Sequence, residues 1–466
     1  MRTLEGASCA AIAMLATTTC FSAARAQTQS GAAEPNETSG KVEYDPSYFM
    51  AYEVQNADDM LRRIPGVAPI IAGIGSAVQT RGFGSGGDQI LINGRRVPGK
   101  SNEISKILAR INVRSVQRIE LIRGVSKDID VQSSGLVVNI VLRAGEKVAG
   151  GGNFELNLRG GDRRLLGPDG LVNYSSSVGR LAFNLGIERN LTSLPGSNDQ
   201  RFDDRTRIER YFYLDGTLQE DRVQDWRRDH NKWIYTGGLT YDFDGGARAQ
   251  LNGFYQTIDI TETDVTDFVQ FNRAGNEQLR AQDFHERTLA PIVVWEVSGE
   301  FISRLAGGNL AVMFISNRRD QDTIDFRNRL GVGPSVIELS RSEAASKQSE
   351  DIIRAQYGFD LTSKFNLEVG GEGARNTLRQ TLQPYFDLDR DGEVEPVMLP
   401  FGAADVVEWR GEAFVNSRWT PFPAGTINAS LNFEHSKLTT NSVLNPGRSL
   451  SFWKPRIDAR LDTSKR

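Results

Sequence analysis

The densest chemistry in this chain lies in nine residues, Asp387-Leu388-Asp389-Arg390-Asp391-Gly392-Glu393-Val394-Glu395. Carboxylates alternate, a glycine stands sixth and an apolar residue eighth, as at the start of a calcium-binding loop. A hard cation needs several oxygens at once, and the glycine lets the backbone wrap around it. Asp387, Asp389, Asp391 and, at the ninth position, Glu395 are the candidate calcium ligands. The bidentate acid that closes such loops at position twelve is replaced by Met398. An acidic, solvated loop is the other reading of the same residues. The three histidines, His230, His285 and His435, are too scattered for a metal site. Both cysteines, Cys9 and Cys20, sit at the extreme N-terminus, so the rest of the chain has no disulfide, cysteine metal site or thiol nucleophile. No hydrolase triad or carboxylate dyad stands out, and the chain reads as a non-enzyme.

The elements that must position these residues divide by composition. The chain has 466 residues, a formal net charge of -4 and 39% hydrophobic residues. Near-neutral charge gives no electrostatic case for nucleic acid. No apolar run reaches the roughly 20 residues of a membrane-spanning helix, but membrane strands show only one apolar face and look soluble on average. Residues 1–26 read as a secretory signal: Arg2, an apolar Cys9–Leu15 stretch, and Ala24-Arg25-Ala26 before Gln27. Residues 27–50 are rich in Gln, Ser, Ala, Glu, Asn and Gly and read as a flexible linker.

Residues 51–145 read as a compact mixed domain. Asn56 can cap a helix with Asp59 in its first turn. Met60, Leu61 and Ile64 supply its apolar side, and Pro65 stops it. Ile90-Leu91-Ile92 is a strand running into an Asn93-Gly94 turn. Ile104, Ile107, Leu108 and Ile111 fall at helical spacing after Ser101 or Asn102. Arg118 to Gly124 and Leu136 to Leu142 are further strands. In order, Pro65-Gly66-Val67, Gln79-Thr80-Arg81-Gly82-Phe83, Ile90 to Arg95, Arg118 to Gly124 and Ser133 to Arg143 resemble the plug domain of TonB-dependent outer-membrane receptors. The chain departs from that pattern with Gly124-Val125 in place of Gly-Pro, and with Ile129-Asp130-Val131-Gln132 in place of the usual Tyr-Gly.

From about residue 151 the period becomes two. Leu181, Phe183, Leu185 and Ile187 oppose Ala182, Asn184, Gly186 and Glu188. Ile427, Ala429, Leu431 and Phe433 oppose Asn428, Ser430, Asn432 and Glu434. Phe365, Leu367 and Val369 oppose Asn366, Glu368 and Gly370. Such strands suit lipid on one side and water on the other. Short turns near 179–180, 244–246, 306–308, 362–364 and 421–425 alternate with polar stretches at 191–230, 262–290, 324–349 and 380–404, which read as long outer loops. The expected fold is a small α/β plug domain followed by antiparallel transmembrane β-barrel strands over 151–466, about 12 of the roughly 22 that enclose a plug. The chain ends Thr463-Ser464-Lys465-Arg466 without the terminal aromatic of such barrels, which reads as a truncated receptor.

The resemblance carries further expectations. It implies a cell outer membrane location in contact with outer-membrane lipid. Its function would be import of a scarce small-molecule ligand such as a ferric siderophore. The plug would be gated by a TonB-type energising protein in the periplasm, for which Lys41 to Tyr44 is the one segment able to offer a pairing strand. Plug arginines of the family face barrel acids, so Arg81, Arg123 and Arg143 become candidate plug–barrel locks. Their partners would be Glu155, Glu188, Glu368, Glu372 or Glu434 on the lumen side. Gly84-Ser85-Gly86-Gly87 looks like an apical loop able to touch ligand. Trp226, Trp233, Trp295, Trp409, Trp419 and Trp453 could include interface-girdle residues. The competing readings are a surface adhesin or sensor, a soluble secreted β-rich binding protein, and a non-functional fragment.

Overall fold

The computed structural model describes residues 36–38, 41–52, 54, 56–67, 90–92, 95–96, 108, 111, 113, 116–123, 136–142, 150–161, 164–195, 206–330, 336–389, 391–422, 425–441 and 447–461. The signal segment 1–26, Arg81, the loop at 84–87 and Arg143 lie outside the described residues, as does most of the second expected helix.

The first domain contains β1 (Asn36–Thr38), β2 (Lys41–Tyr44), a 3-10 turn (Pro46–Ala51), α1 (Ala57–Arg62), β3 (Ile90–Ile92), β4 (Arg95–Arg96), β5 (Val116–Arg123) and β6 (Leu136–Leu142). Among the described residues the strands form one mixed sheet in the order β1-β2-β5-β6-β3-β4, with β3 parallel to β6. The helix begins where expected: Asn56 Oδ1 accepts from the Asp59 N–H at 3.0 Å, satisfying a donor that has no partner within the helix. Its Met60 and Leu61 are fully buried and share one core with Ile119, Val138 and Ile140 of the sheet. Burying each such side chain contributes roughly 1.5–3 kcal/mol, which a six-residue helix needs because it is not stable alone.

One boundary moves. Lys41 to Tyr44 falls in the expected linker and is the segment proposed to pair with the energising protein. It is instead β2, antiparallel to β5 with Val42 opposite Leu121. Tyr44 is buried in the core and Lys41 is tied to Glu120 at 2.8 Å. An alternating sequence next to an open sheet edge pairs there, whatever the composition around it.

The rest is strand: β7 (Gly151–Gly161), β8 (Arg164–Val178), β9 (Leu181–Pro195), β10 (Thr206–Phe212), β11 (Leu218–Asp242), β12 (Arg248–Phe271), β13 (Glu277–Leu305), β14 (Gly308–Leu330), β15 (Val336–Thr362), β16 (Phe365–Phe386), β17 (Glu395–Pro396), β18 (Ala403–Phe422), β19 (Gly425–Thr440) and β20 (Gly447–Leu461). Among the described residues twelve of them pair antiparallel with their sequence neighbours from β7 to β20, and the short β10 and β17 add to β11 and β16. The expected count of about 12 is the length of this path.

The long-loop expectation is corrected at three places. Residues 262–290 are the upper halves of β12 and β13, joined by a tight turn in which Gly275 N–H donates to Asn272 O at 2.9 Å. Residues 324–349 are likewise strand apart from the connection between β14 and β15, and 206–230 is largely the β10–β11 hairpin. A membrane crossing takes about 9–11 residues per strand, whereas β13 has 29. In these upper halves polar residues occupy both faces, as in Thr261-Glu262-Thr263-Asp264 and His285-Glu286-Arg287, so the alternation that marks strands is lost.

The faces follow the period-two reading. Leu185, Ile187, Val369 and Leu431 are exposed on the outer face, whereas Glu296 and Ser298 on the inner face are almost wholly buried. The inner face is not uniformly polar: Ile234, Phe254, Ile260, Ile292 and Val294 form a buried apolar cluster on it.

Candidate functional site

Register places the expected lumen acids on one face. Glu155 and Glu188 both lie opposite Leu171 of β8, and Glu188 faces Ile234 across to β11. Glu368, Glu372 and Glu434 share the same side of β16 and β19, joined through Asn416 and Glu412 of β18. A set of cations that the sequence did not single out meets them. Arg410 of β18 donates to Glu372 Oε1 at 2.6 Å, and Arg354 of β15 lies 3.6 Å from Glu372 Oε2. Lys454 of β20 pairs with Glu434 and stands 4.0 Å from Glu412. Asn416 donates to Glu368 at 2.8 Å and Asn432 to Glu412 at 3.1 Å. The Arg354 guanidinium covers the Phe414 ring at 4.2 Å, and that ring packs on Gly370, where a Cβ would strike it and lie 2.7 Å from Ala355 O. No sequence rule pairs these residues. They meet because each is an inward position on an adjacent strand.

A second tier lies further along the strands, toward the β12–β13 turn. Asp283 accepts from Arg327 at 2.6 Å and from Arg329 at 2.9 Å. Asp325 contacts His285 at 2.5 Å and accepts from Arg287 at 2.8 Å. Burial alone would raise Asp283 and Asp325, but hydrogen bonds with these partners outweigh it and hold both carboxyls below the ordinary carboxylate range. The tier presents three arginines and a histidine against two carboxylates. Its placement depends on a bulge between Ala290 and Val293 of β13, where Pro291 sits. Glu296 pairs with Asn317 below the bulge and His285 with Arg327 above it. Both partners are odd-numbered positions of β14, so inward residues on β13 change from even to odd across the bulge. Beside this tier a cavity of about 360 Å³ is lined by Gln321, Thr323, Ser346, Gln380, Leu382 and Phe401.

The acidic loop behaves partly as expected. Asp387, Asp389 and Asp391 each bring a carboxylate oxygen within 4.8 Å of the others. Gly392, at φ +94°, donates its N–H to Asp387 Oδ2 at 3.2 Å, and Asp387 Oδ1 is buried with no hydrogen-bond partner. Glu395 is not brought to the cluster: its Oε2 accepts from the Leu388 N–H at 3.1 Å and so braces the loop. Arg123 ends β5, and the side-chain positions of Arg81, Arg123 and Arg143 lie outside the described residues.

The chain is a small mixed domain followed by a long antiparallel sheet with an apolar outer face and a charged inner face. Residues 37–135 match the family described as TonB-dependent Receptor Plug Domain. The matched segment covers the mixed-sheet domain up to β6, and the long antiparallel sheet follows it. Among solved structures the chain is similar to three receptors. The siderophore receptor PiuA from Acinetobacter baumannii is 10% identical with a TM-score of 0.42, covering 90% of this chain and 61% of that one. The pyoverdine receptor FpvA from Pseudomonas aeruginosa is 13% identical with a TM-score of 0.42, covering 91% and 60%. The ferric preacinetobactin receptor BauA from Acinetobacter baumannii is 10% identical with a TM-score of 0.39, covering 91% and 61%. The chain thus spans about 60% of the length of these proteins. No curated protein matches.

Proposed function

We propose that this chain forms the plug and part of the barrel wall of a ligand-gated importer in the cell outer membrane, energised by a TonB-type protein. The observation that carries this reading is the charged inner wall behind a plug domain. Its upper tier, with Arg287, Arg327 and Arg329 held in place by Asp283 and Asp325, suits an anionic ligand such as a ferric siderophore. Arg81, Arg123 and Arg143 lock the plug to barrel carboxylates until force from the periplasm pulls them apart. Cells that express the protein under iron limitation should accumulate ferric siderophore only while the energising protein is intact. Ligand binding without energised uptake would sink the importer and leave a surface sensor or adhesin.

The Asp387–Asp391 loop is a calcium site in the same reading, favoured by the partnerless Asp387 Oδ1 among three converging carboxylates. These residues supply hard oxygen ligands, and the cation would rigidify the outer loop that carries Phe401. Calorimetric titration with calcium in detergent tests it, and an absence of heat would return the loop to a solvated acidic turn.

A further inference from the structure

Three tryptophans lie on the outer face, well above the short-turn ends of their strands. Trp233, Trp295 and Trp409 lie about nine to thirteen residues from the short-turn ends of their strands at Asp242, Leu305 and Phe422. At about 3.4 Å per residue and a tilt near 45°, ten residues rise roughly 24 Å, close to the 25 Å apolar band of a membrane barrel. Below them Val297, Phe301, Phe314 and Ile353 are exposed, as lipid-facing residues are. Each tryptophan is stacked by an arginine from the neighbouring strand: Arg189 on Trp233 at 5.1 Å, Arg318 on Trp295 at 5.4 Å and Arg375 on Trp409 at 5.5 Å. An arginine at the top of an apolar band faces headgroups, not hydrocarbon.

The charge is not evenly spread. Asp351 is satisfied by two bonds from Arg318, at 2.9 and 3.0 Å, and one from Ser316 at 2.7 Å. Asp351 also faces Arg375, Arg375 faces Trp409, and Trp409 faces Lys437 on consecutive strands. Among the described residues neither Arg375 nor Lys437 makes an ion pair, so two cations flank one exposed indole. On the same face Asp320 of β14, two residues from Arg318, lies opposite Lys347 of β15, and Asp259 of β12 lies opposite Asn231.

We propose that Arg375, Trp409 and Lys437, with Arg318 beside them, seat the phosphate headgroup of an outer-leaflet lipid. Strands sit about 4.8 Å apart, so the two cations stand roughly 10 Å from each other across the indole. A phosphate between them accepts from both, while the ring lies against the sugar or glycerol portion. This rests on the outer-membrane reading above.

The test compares lipid that co-purifies with the protein. Wild type and the R375Q/K437Q variant are taken from the outer-membrane fraction in a mild non-ionic detergent. Bound phosphorylated lipid is then counted by native mass spectrometry. A surface charge contributes about 1 kcal/mol to anionic-lipid binding, so retention should fall roughly fivefold for each charge removed. R375K/K437R should retain wild-type lipid. If the double variant fails to insert, K437Q alone carries the comparison. Equal retention in wild type and variant overturns the site while leaving the importer intact. Stripping of the lipid by inorganic phosphate at modest concentration makes it a general anion site and also overturns the lipid assignment. Absence of the wild type from the outer-membrane fraction overturns both readings together.

Discussion

Arg410 and Glu372, on neighbouring strands β18 and β16, form a 2.6 Å ion pair in which both side chains are more than nine-tenths buried. A charge removed from water to that degree is tolerated when its partner is in place and is costly when the partner is deleted. Arg354, at 3.6 Å, offers Glu372 a weaker second contact. R410M should therefore destabilise the folded barrel by about 3 kcal/mol, and E372M/R410M by much less. Urea unfolding in detergent, followed by the heat-dependent gel shift of folded barrels, gives both numbers. A double variant as unstable as the single one would show that the pair is not an electrostatic unit.

Gly370 lies under the Phe414 ring, and no side chain fits there without moving it. G370V should displace Phe414, break its stacking with Arg354 and cost roughly 1–3 kcal/mol through overpacking. G411V is the control, since open space surrounds a Cβ at Gly411. Similar melting temperatures for the two variants would remove the aromatic–glycine pair from the account.

The plug carries a pH dependence through Glu120. Burial would raise its carboxyl, but hydrogen bonds from Lys41, Asn139 and Arg118 outweigh that and hold it below the ordinary value. A depressed folded pKa means stability that is fully present above the unfolded value, near 4.5, and lost as pH falls through the folded one. Protection of the β2 and β5 amides, relative to their intrinsic exchange rate at each pH, should thus fall as the pH is lowered below about 4.5. E120Q should exchange faster at neutral pH and show a flatter response to acid. Identical profiles for the two proteins would sink this.

The upper tier of Asp283, Asp325 and their arginines predicts a binding phenotype separate from folding. Asp283 orients Arg327 and Arg329, so D283N should leave both arginines present but poorly aimed. Affinity for an anionic ferric siderophore should drop by roughly tenfold, the equivalent of about 1.4 kcal/mol, while the melting temperature changes little. Fluorescence quenching by the ferric chelate measures it, and an unchanged affinity would move the ligand elsewhere.

Calcium removal should loosen the loop between β16 and β18. With a chelator present, proteolysis near Asp389 should quicken, and D389N should be cut at that rate with or without calcium. Equal cutting of the wild type in both conditions would contradict the calcium loop.

Local sequence was enough for anything governed by short-range spacing. The Asn56 cap, the alternation that sets Leu185 and Leu431 outward, and the twelve-strand path are set by neighbours within a few positions. The inward set Glu155, Glu188, Glu368, Glu372 and Glu434 was legible for the same reason: one side of a strand is fixed by parity.

Tertiary structure decided what parity cannot. The bulge at Pro291 reverses which residues of β13 face inward, so His285 and Arg287 join the wall through a register shift invisible in composition. The polar upper halves of β12 to β15 are strand because each finds a neighbour to complete its backbone hydrogen bonds, not because their side chains alternate. Lys41 to Tyr44 is held in the plug by the open edge of β5. The partners Arg354, Arg410 and Lys454 come from strands dozens of residues away and are set by pairing alone. Sequence spacing determines which way a side chain points, and only the register between strands determines what it meets.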